Sequence, residues 1–202
     1  MKEKDIKKIK SYIFDFDGVL GDTFDTSLAF IEKQFYLSKD RSKRFLEYEM
    51  VKNRPENIFV KLLENWYYNQ FFKYIQSSED LCFTEKIEEI KLIKGPKAIL
   101  SRNKTYICKY ILGQNQKEFK YILGRDNTKS KVEGLNFLNK LPDFDLSSCI
   151  FFTDTVGDIL EVSKVLSKDQ IYGVSWGFQP RKELEMYLPS DQVIDSFVGT
   201  KF

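Results

Sequence analysis

The chain contains no histidine. That excludes Ser-His-Asp and Cys-His catalysis and every histidine-ligated metal site. Catalysis must then rest on carboxylates, Lys, Ser/Thr, Tyr or Cys, and a hard, oxygen-ligated ion becomes the natural metal partner. Cysteine is scarce as well. Cys82, Cys108 and Cys149 are odd in number, widely spaced and form no Cys-x-x-Cys pair. Reduced thiols in an intracellular protein fit this pattern. Cys108 falls in a helical pattern and Cys149 begins an apolar run, so both read as core packing. No apolar window approaches the length of a membrane span. The charged start is not followed by a long apolar stretch, so no signal peptide is expected and the expected location is cytoplasmic. Charge of one sign is not in excess either: 32 Lys and Arg face 30 Asp and Glu, a net charge of +2. Neither nucleic acid nor a membrane is therefore an expected partner, and the Lys2 to Lys10 segment reads as a solvated arm. There is no internal repeat and no low-complexity linker.

What is present suits one domain with a modest insertion. The chain has 202 residues, 42% hydrophobic and 15% aromatic, which is enough for a sizeable core. Its most informative stretch is Ser11-Tyr12-Ile13-Phe14, a run that reads as a buried strand, followed at once by Asp15, Asp17 and Gly18. A carboxylate pair at a strand's C-terminal end lies where open α/β sheets place their ligands. Carboxylates this close repel unless a positive group sits between them, and a divalent cation such as Mg²⁺ would serve. Gly18 lets the backbone turn away beside that position.

From residue 84 onward, strand and helix patterns alternate, which predicts a parallel sheet covered by helices. Helices are expected over 84–94 (stopped by Gly95-Pro96), 104–112 (Asn103 as N-cap, Gly113 as stop), 132–141 and 157–166. Strands are expected over 97–100, 119–123, 149–152 and 171–174. Between Thr26 and Ile75 the apolar residues recur at helical spacing. Leu28, Ile31 and Phe35 mark one helix, Phe45, Tyr48 and Met50-Val51 a second, and a third follows Pro55. Asp22 and Asp25 leave the first strand as candidate substrate contacts or as N-caps of a helix beginning near Ser27. The cluster Trp66-Tyr67-Tyr68 with Phe71-Phe72 reads as core between helices, with the lining of a pocket as the alternative.

The segment Asp15-Phe16-Asp17-Gly18-Val19-Leu20 resembles the first motif of the haloacid dehalogenase superfamily of phosphohydrolases. In that family the first Asp is the nucleophile and the second the general acid/base. Ser101, after the Lys97–Leu100 strand, resembles the second motif, whose hydroxyl and nearby backbone N–H bind a phosphoryl oxygen. Arg102 and Gly18 join the candidate substrate contacts on the same ground. The third motif is a Lys at a helix start, usually flanked by prolines. Here Asn127-Thr128-Lys129-Ser130-Lys131-Val132-Glu133 lacks both prolines. Lys129 keeps the family spacing to the next motif, while Lys131 lies on the first turn of a helix that Ser130 and Glu133 would cap. Spacing does not choose between them. The fourth motif is matched by Phe151-Phe152-Thr153-Asp154 with Asp158 four residues on. Gly173-Val174-Ser175-Trp176-Gly177 is similar to a segment of phosphoglycolate-phosphatase-like members.

The resemblance implies a Rossmann-like parallel-sheet core in residues 1–20 and 84–202, with an all-helical cap in residues 21–83. It implies Mg²⁺-dependent hydrolysis of a small-molecule phosphate ester, such as a sugar phosphate or a phosphoglycolate-like compound, through an aspartyl-phosphate on Asp15. The catalytic set is Asp15, Asp17, Ser101 and Lys129 or Lys131. The metal set is Asp15, Asp17 through its main-chain carbonyl, Asp154 and Asp158. A phosphomutase of the same fold, or a non-enzymatic phosphoacceptor or binding protein, is the alternative.

Overall fold

The computed structural model describes residues 10–44, 58–77 and 86–200, with side chains of 58–62 excepted. Six short strands form one sheet: β1 (Ser11–Phe14), β2 (Lys97–Leu100), β3 (Tyr121–Leu123), β4 (Cys149–Thr153), β5 (Ile171–Val174) and β6 (Val193–Ile194). Every pairing is parallel and the order is β3-β2-β1-β4-β5-β6. The chain builds outward from β1 on one side, then returns to its other side through β4. The order therefore reverses between β1 and β4, and ligands of such sheets bind beyond the strand ends at that point.

The strands are apolar on both faces because helices cover both. Alternate residues enter two separate core layers. Tyr12, Phe14, Ile99, Ile150 and Phe152 face one layer, with α1 (Phe24–Phe35), α2 (Ile58–Gln76), α3 (Lys86–Lys91) and α4 (Thr105–Leu112) packed on it. Ile13, Ala98, Leu100, Phe151 and Ile171 face the other, against α5 (Lys131–Leu138), α6 (Val156–Val162) and α7 (Arg181–Leu184). The first layer is rich in aromatic rings. Phe14 stacks on Phe152 at 5.0 Å between centroids, and Phe197 meets both edge-on at 5.6 and 5.1 Å.

Helices α1 and α2 follow β1, with further helical residues over 39–44. Phe30 and Ile31 of α1 and Phe71 and Ile75 of α2 belong to the same apolar layer as Phe14. Trp66 is half exposed against Phe35, while Tyr67, Tyr68 and Phe72 pack on the buried layer. The second expected helix (Phe45 to Val51), Pro55, Cys82 and nearly all of the Lys2 to Lys10 segment lie outside the described residues. Among the described residues no helix is long and apolar enough to cross a membrane.

Several boundaries differ from the sequence expectation. β3 begins at Tyr121, not Phe119, because a 3-10 turn over Gly113–Glu118 closes on Phe119, whose N–H donates to the Gln116 carbonyl. α1 begins at Phe24, three residues before Ser27, and neither Asp22 nor Asp25 caps it. Its N-cap residue is Thr23, whose hydroxyl turns instead to Asp17. Asn103 does not cap α4. The Thr105 N–H donates to the Asp126 carboxylate at 2.7 Å, so the cap comes from the loop after β3. α5 starts one residue earlier than expected, at Lys131, with Ser130 accepting the Glu133 N–H at 3.1 Å. The Glu133 carboxylate reaches past the N-cap to the Lys129 N–H at 2.7 Å. Ser130→Ala is expected to lower stability by about 1 kcal/mol, measured as a fall in the thermal midpoint.

Candidate active site

Just beyond β1 the chain closes a tight loop. The Leu20 and Gly21 N–H groups both donate to the Phe16 carbonyl, and the Gly18 N–H donates to Gly21 at 2.8 Å. Gly18 has φ +77°, and a Cβ there would lie 1.9 Å from Asp154 Oδ2. Glycine is thus required both by the backbone and by the close approach. Phe16, Val19 and Leu20 anchor the loop in the core. The loop sends Asp15 inward, where it is buried, and leaves Asp17 half exposed.

Asp15 Oδ1 accepts from the Phe16 N–H at 2.7 Å and from Lys131 Nζ at 2.6 Å. Lys131 is itself buried. Its ammonium also donates to the Leu100 carbonyl and lies 3.2 Å from Asp158 Oδ2. Asp158 Oδ1 pairs with Arg102 at 3.0 Å, and Arg102 pairs with Glu161 at 2.8 Å. Burial pushes the Asp15 carboxyl well above its ordinary range, and Lys131 only partly offsets this. Burial opposes ionisation of Asp158 too, but Lys131 and Arg102 together outweigh it and hold that carboxyl low. Burial likewise works against the Lys131 charge, and Asp15 and Asp158 overcome it, leaving the ammonium harder to deprotonate than usual.

Asp17 faces a neutral set of donors. Thr23 Oγ1 donates at 2.6 Å, Asn103 Nδ2 at 3.2 Å and Ser101 Oγ at 3.3 Å. Ser101 sits at the end of β2, and its hydroxyl oxygen accepts the Asn103 N–H at 2.9 Å. Asp15, Asp17 and Ser101 thus stand together over the ends of β1 and β2.

Asp154, at the end of β4, completes the group. Its Oδ2 accepts the Phe178 N–H at 2.8 Å, and Gly177 approaches so closely that a Cβ there would lie 2.2 Å from the Asp154 Cβ. Its Oδ1 is buried without a hydrogen-bond partner among the described residues. Burial raises this carboxyl to about 7, against the pull of the Phe178 N–H. Among the described residues no three acidic, Cys or His side chains already enclose an ion position. The chemistry of the donors nonetheless fits a hard cation. They are oxygens, one is an orphaned buried carboxylate oxygen, and burial opposes charge on Asp15, Asp154 and Asp158.

Lys131 and Lys129, equivalent by spacing, fall in different places. Lys131 is buried on Asp15, whereas Lys129 is exposed at the rim of a small recess lined also by Ser101, Arg102, Arg125 and Thr128. Arg102 is drawn against Asp158 and Glu161. Asp22 is exposed at a cleft of about 310 Å³, shared with Gly18, Phe24, Lys86, Trp176 and Phe178. Helix α2 reaches the same end of the sheet. Glu64 pairs with Arg125 at 2.7 Å, and the Tyr68 hydroxyl donates to the Arg102 carbonyl at 3.1 Å. Cys108 and Cys149 are buried free thiols. Burial drives the Cys108 thiol well up and that of Cys149 to about 12, so neither supplies a thiolate.

Three polar residues at this end of the sheet are not apparent in the sequence. Thr23 and Asn103 carry no motif of their own. Glu161 carries a faint signal, since it follows Asp158 by three residues and so shares its helix face. An acid on the apolar face of Ile159 and Val162 requires a buried partner.

No protein-family model matches the sequence, and no curated protein does. Solved structures do. A hydrolase of the haloacid dehalogenase-like family from Streptococcus pneumoniae is 16% identical, with a TM-score of 0.66, covering 91% of this chain and 93% of that one. CbbY from Rhodobacter sphaeroides, solved in complex with xylulose-(1,5)-bisphosphate, is 14% identical with a TM-score of 0.68, covering 95% and 96%. A protein from Haemophilus somnus described as a predicted phosphoglycolate phosphatase is 16% identical with a TM-score of 0.67, covering 95% and 96%. At these identities the likeness is one of fold: the chain has the haloacid dehalogenase-like α/β fold.

Proposed function

We propose that the chain is a phosphohydrolase that cleaves small phosphomonoesters through an aspartyl-phosphate on Asp15. The observation that carries the reading is the convergence at the β1–β4 switch point. Lys131 Nζ lies 2.6 Å from Asp15 Oδ1, with Asp17, Ser101 and Asp154 at the same strand ends. Asp15 attacks phosphorus and the ester P–O bond breaks. Asp17, half exposed and hydrogen-bonded among the described residues by the neutral donors Thr23, Asn103 and Ser101, gives its proton to the leaving oxygen. It then takes a proton from the water that cleaves the acyl phosphate, which returns Asp15 and releases inorganic phosphate. Ser101 and Lys131 bind phosphoryl oxygens, and the ammonium also favours the ionised form of Asp15.

Asp15, the Asp17 carbonyl and Asp154 would hold a hard divalent cation such as Mg²⁺, with Asp158 behind them. Such an ion, when bound, neutralises charge on the transferring phosphoryl group. Helices α1 and α2 act as a cap over the leaving group, and the ester is a sugar phosphate or a phosphoglycolate-like compound. The likeness to the bisphosphate-bound CbbY and to the Haemophilus somnus protein supports that class. A panel of phosphorylated metabolites, scored for Mg²⁺-dependent phosphate release, tests the reading. An isomerised product without free phosphate would convert it to a phosphomutase. A stable phosphoprotein without turnover would convert it to a phosphoacceptor. Asp17→Asn is expected to slow turnover by ~10²–10⁴-fold, the scale of a positioned general acid/base. A variant with unchanged steady-state release would remove Asp17 from that role.

A further inference from the structure

Lys131 is the first residue of α5, so its N–H has no partner within the helix. That N–H donates to Glu161 Oε1 at 2.6 Å. Glu161 lies on α6 and is buried, and its other oxygen accepts from Arg102 at 2.8 Å. Arg102 continues to Asp158 at 3.0 Å, and Asp158 returns to Lys131 Nζ at 3.2 Å. The circuit is closed. Lys131 is held at both ends from α6, its backbone by Glu161 and its ammonium by Asp158, with Arg102 joining the two acids. The ammonium so held is the one that touches Asp15.

Stability is a poor account of this arrangement. Replacing a buried ion pair with packed apolar side chains is often neutral or stabilising. A lysine side chain is long and carries roughly 2 kcal/mol of rotamer entropy. Directing its charge at one carboxylate oxygen requires that both its backbone and its head be fixed. Removing Glu161 would orphan the Lys131 N–H and leave Arg102 with Asp158 as its remaining acid in the circuit.

We infer that Glu161 is a positioning residue. It fixes the point at which the Lys131 ammonium meets Asp15 and an incoming phosphoryl group. The inference rests on the phosphohydrolase reading given above. It is tested with Glu161→Ala and Glu161→Gln. The amide oxygen of Gln keeps an acceptor for the Lys131 N–H, and Ala keeps none. Turnover of an aryl phosphate is normalised to the sites that bind inorganic phosphate, counted by calorimetric titration, so that misfolded molecules do not enter. Displacing a catalytic group slightly is worth about 10²-fold, so kcat should fall by about that in the Ala variant, stay within about fivefold of wild type in the Gln variant, and leave KM within about threefold in both. A wild-type kcat in the Ala variant overturns the inference, as does an equal loss in both variants, or a loss that disappears on normalisation. A wild-type chain that neither binds phosphate nor releases it from any ester overturns the phosphohydrolase reading itself, and this inference with it.

Discussion

Asp15→Asn is expected to lower Mg²⁺-dependent phosphate release by roughly 10⁴-fold or more, the scale on which deleting a nucleophile acts. The substitution is conservative in shape. An amide oxygen still accepts the Phe16 N–H and the Lys131 ammonium, which stand 2.7 and 2.6 Å from Oδ1 in the wild type. It also removes a charge that burial opposes. The variant should therefore fold, with Asp158 still paired to the Lys131 ammonium at 3.2 Å, while losing its chemistry. Steady-state assays with an aryl phosphate measure the loss. Quenching in acid, followed by treatment with hydroxylamine, checks the intermediate. The wild type should carry a hydroxylamine-labile phosphate and the variant none. Turnover in the variant close to that of wild type would show that Asp15 is not the attacking group.

The second large effect concerns stability. Without a cation, the thermal midpoint is expected to fall as pH is raised from about 4 to about 8, and Mg²⁺ should restore more of it at the upper end. Asp154 is raised from 3.8 to about 7 by burial, and Asp15 is raised as well. A carboxyl whose pKa is higher in the folded chain binds its proton more tightly there. Its contribution to stability is complete below the unfolded value and is lost as pH climbs through the folded one. For Asp154 the rise corresponds to ~4 kcal/mol. The neighbours act elsewhere on the scale. Asp158, held low, contributes above its ordinary value and loses that contribution only in acid. Lys131, raised above 10.5, loses its contribution only in strong alkali. Between those limits Asp154 and Asp15 govern the slope. A cation binds their ionised forms, so its stabilisation grows as they deprotonate. Melting curves across this range, with chelator and with Mg²⁺, provide the measurement. A flat or rising midpoint in chelator, or a Mg²⁺ effect independent of pH, would contradict it.

The sheet was the most legible part of the chain. β1, β2 and β5 coincide with their apolar runs because each is buried on both faces and bounded by polar or turn residues. The placement of Asp15 follows from the β1 run, and that of Asp154 from the Cys149–Phe152 run of β4. Legibility fails where a polar side chain's partner comes from another element. Lys129 and Lys131 are two residues apart in one loop, and only the start of α5 decides which of them points at Asp15. Arg102 reads as a substrate contact until α6 brings Asp158 and Glu161 against it. Thr23 reads as an ordinary residue before a helix, yet its hydroxyl serves Asp17 and not the helix end. Asp126 caps α4 from a distance of 21 residues, which no local pattern records. In each case local propensity sets the element, and tertiary contact sets the role of the polar group.

The two tryptophans stand in unlike surroundings. Trp66 lies on α2, half exposed beside Phe35. Trp176 follows β5, with its Nε1–H on the Val19 carbonyl, Phe197 5.1 Å away and the Lys86 ammonium 4.7 Å above its ring. One indole sits in water's reach on the helical segment, and the other is clamped beside the loop that carries Asp17. The molecule thus carries two tryptophan reporters in surroundings of different polarity, one on α2 and one beside the β1 loop, so a loosening of either would shift a different part of the indole emission.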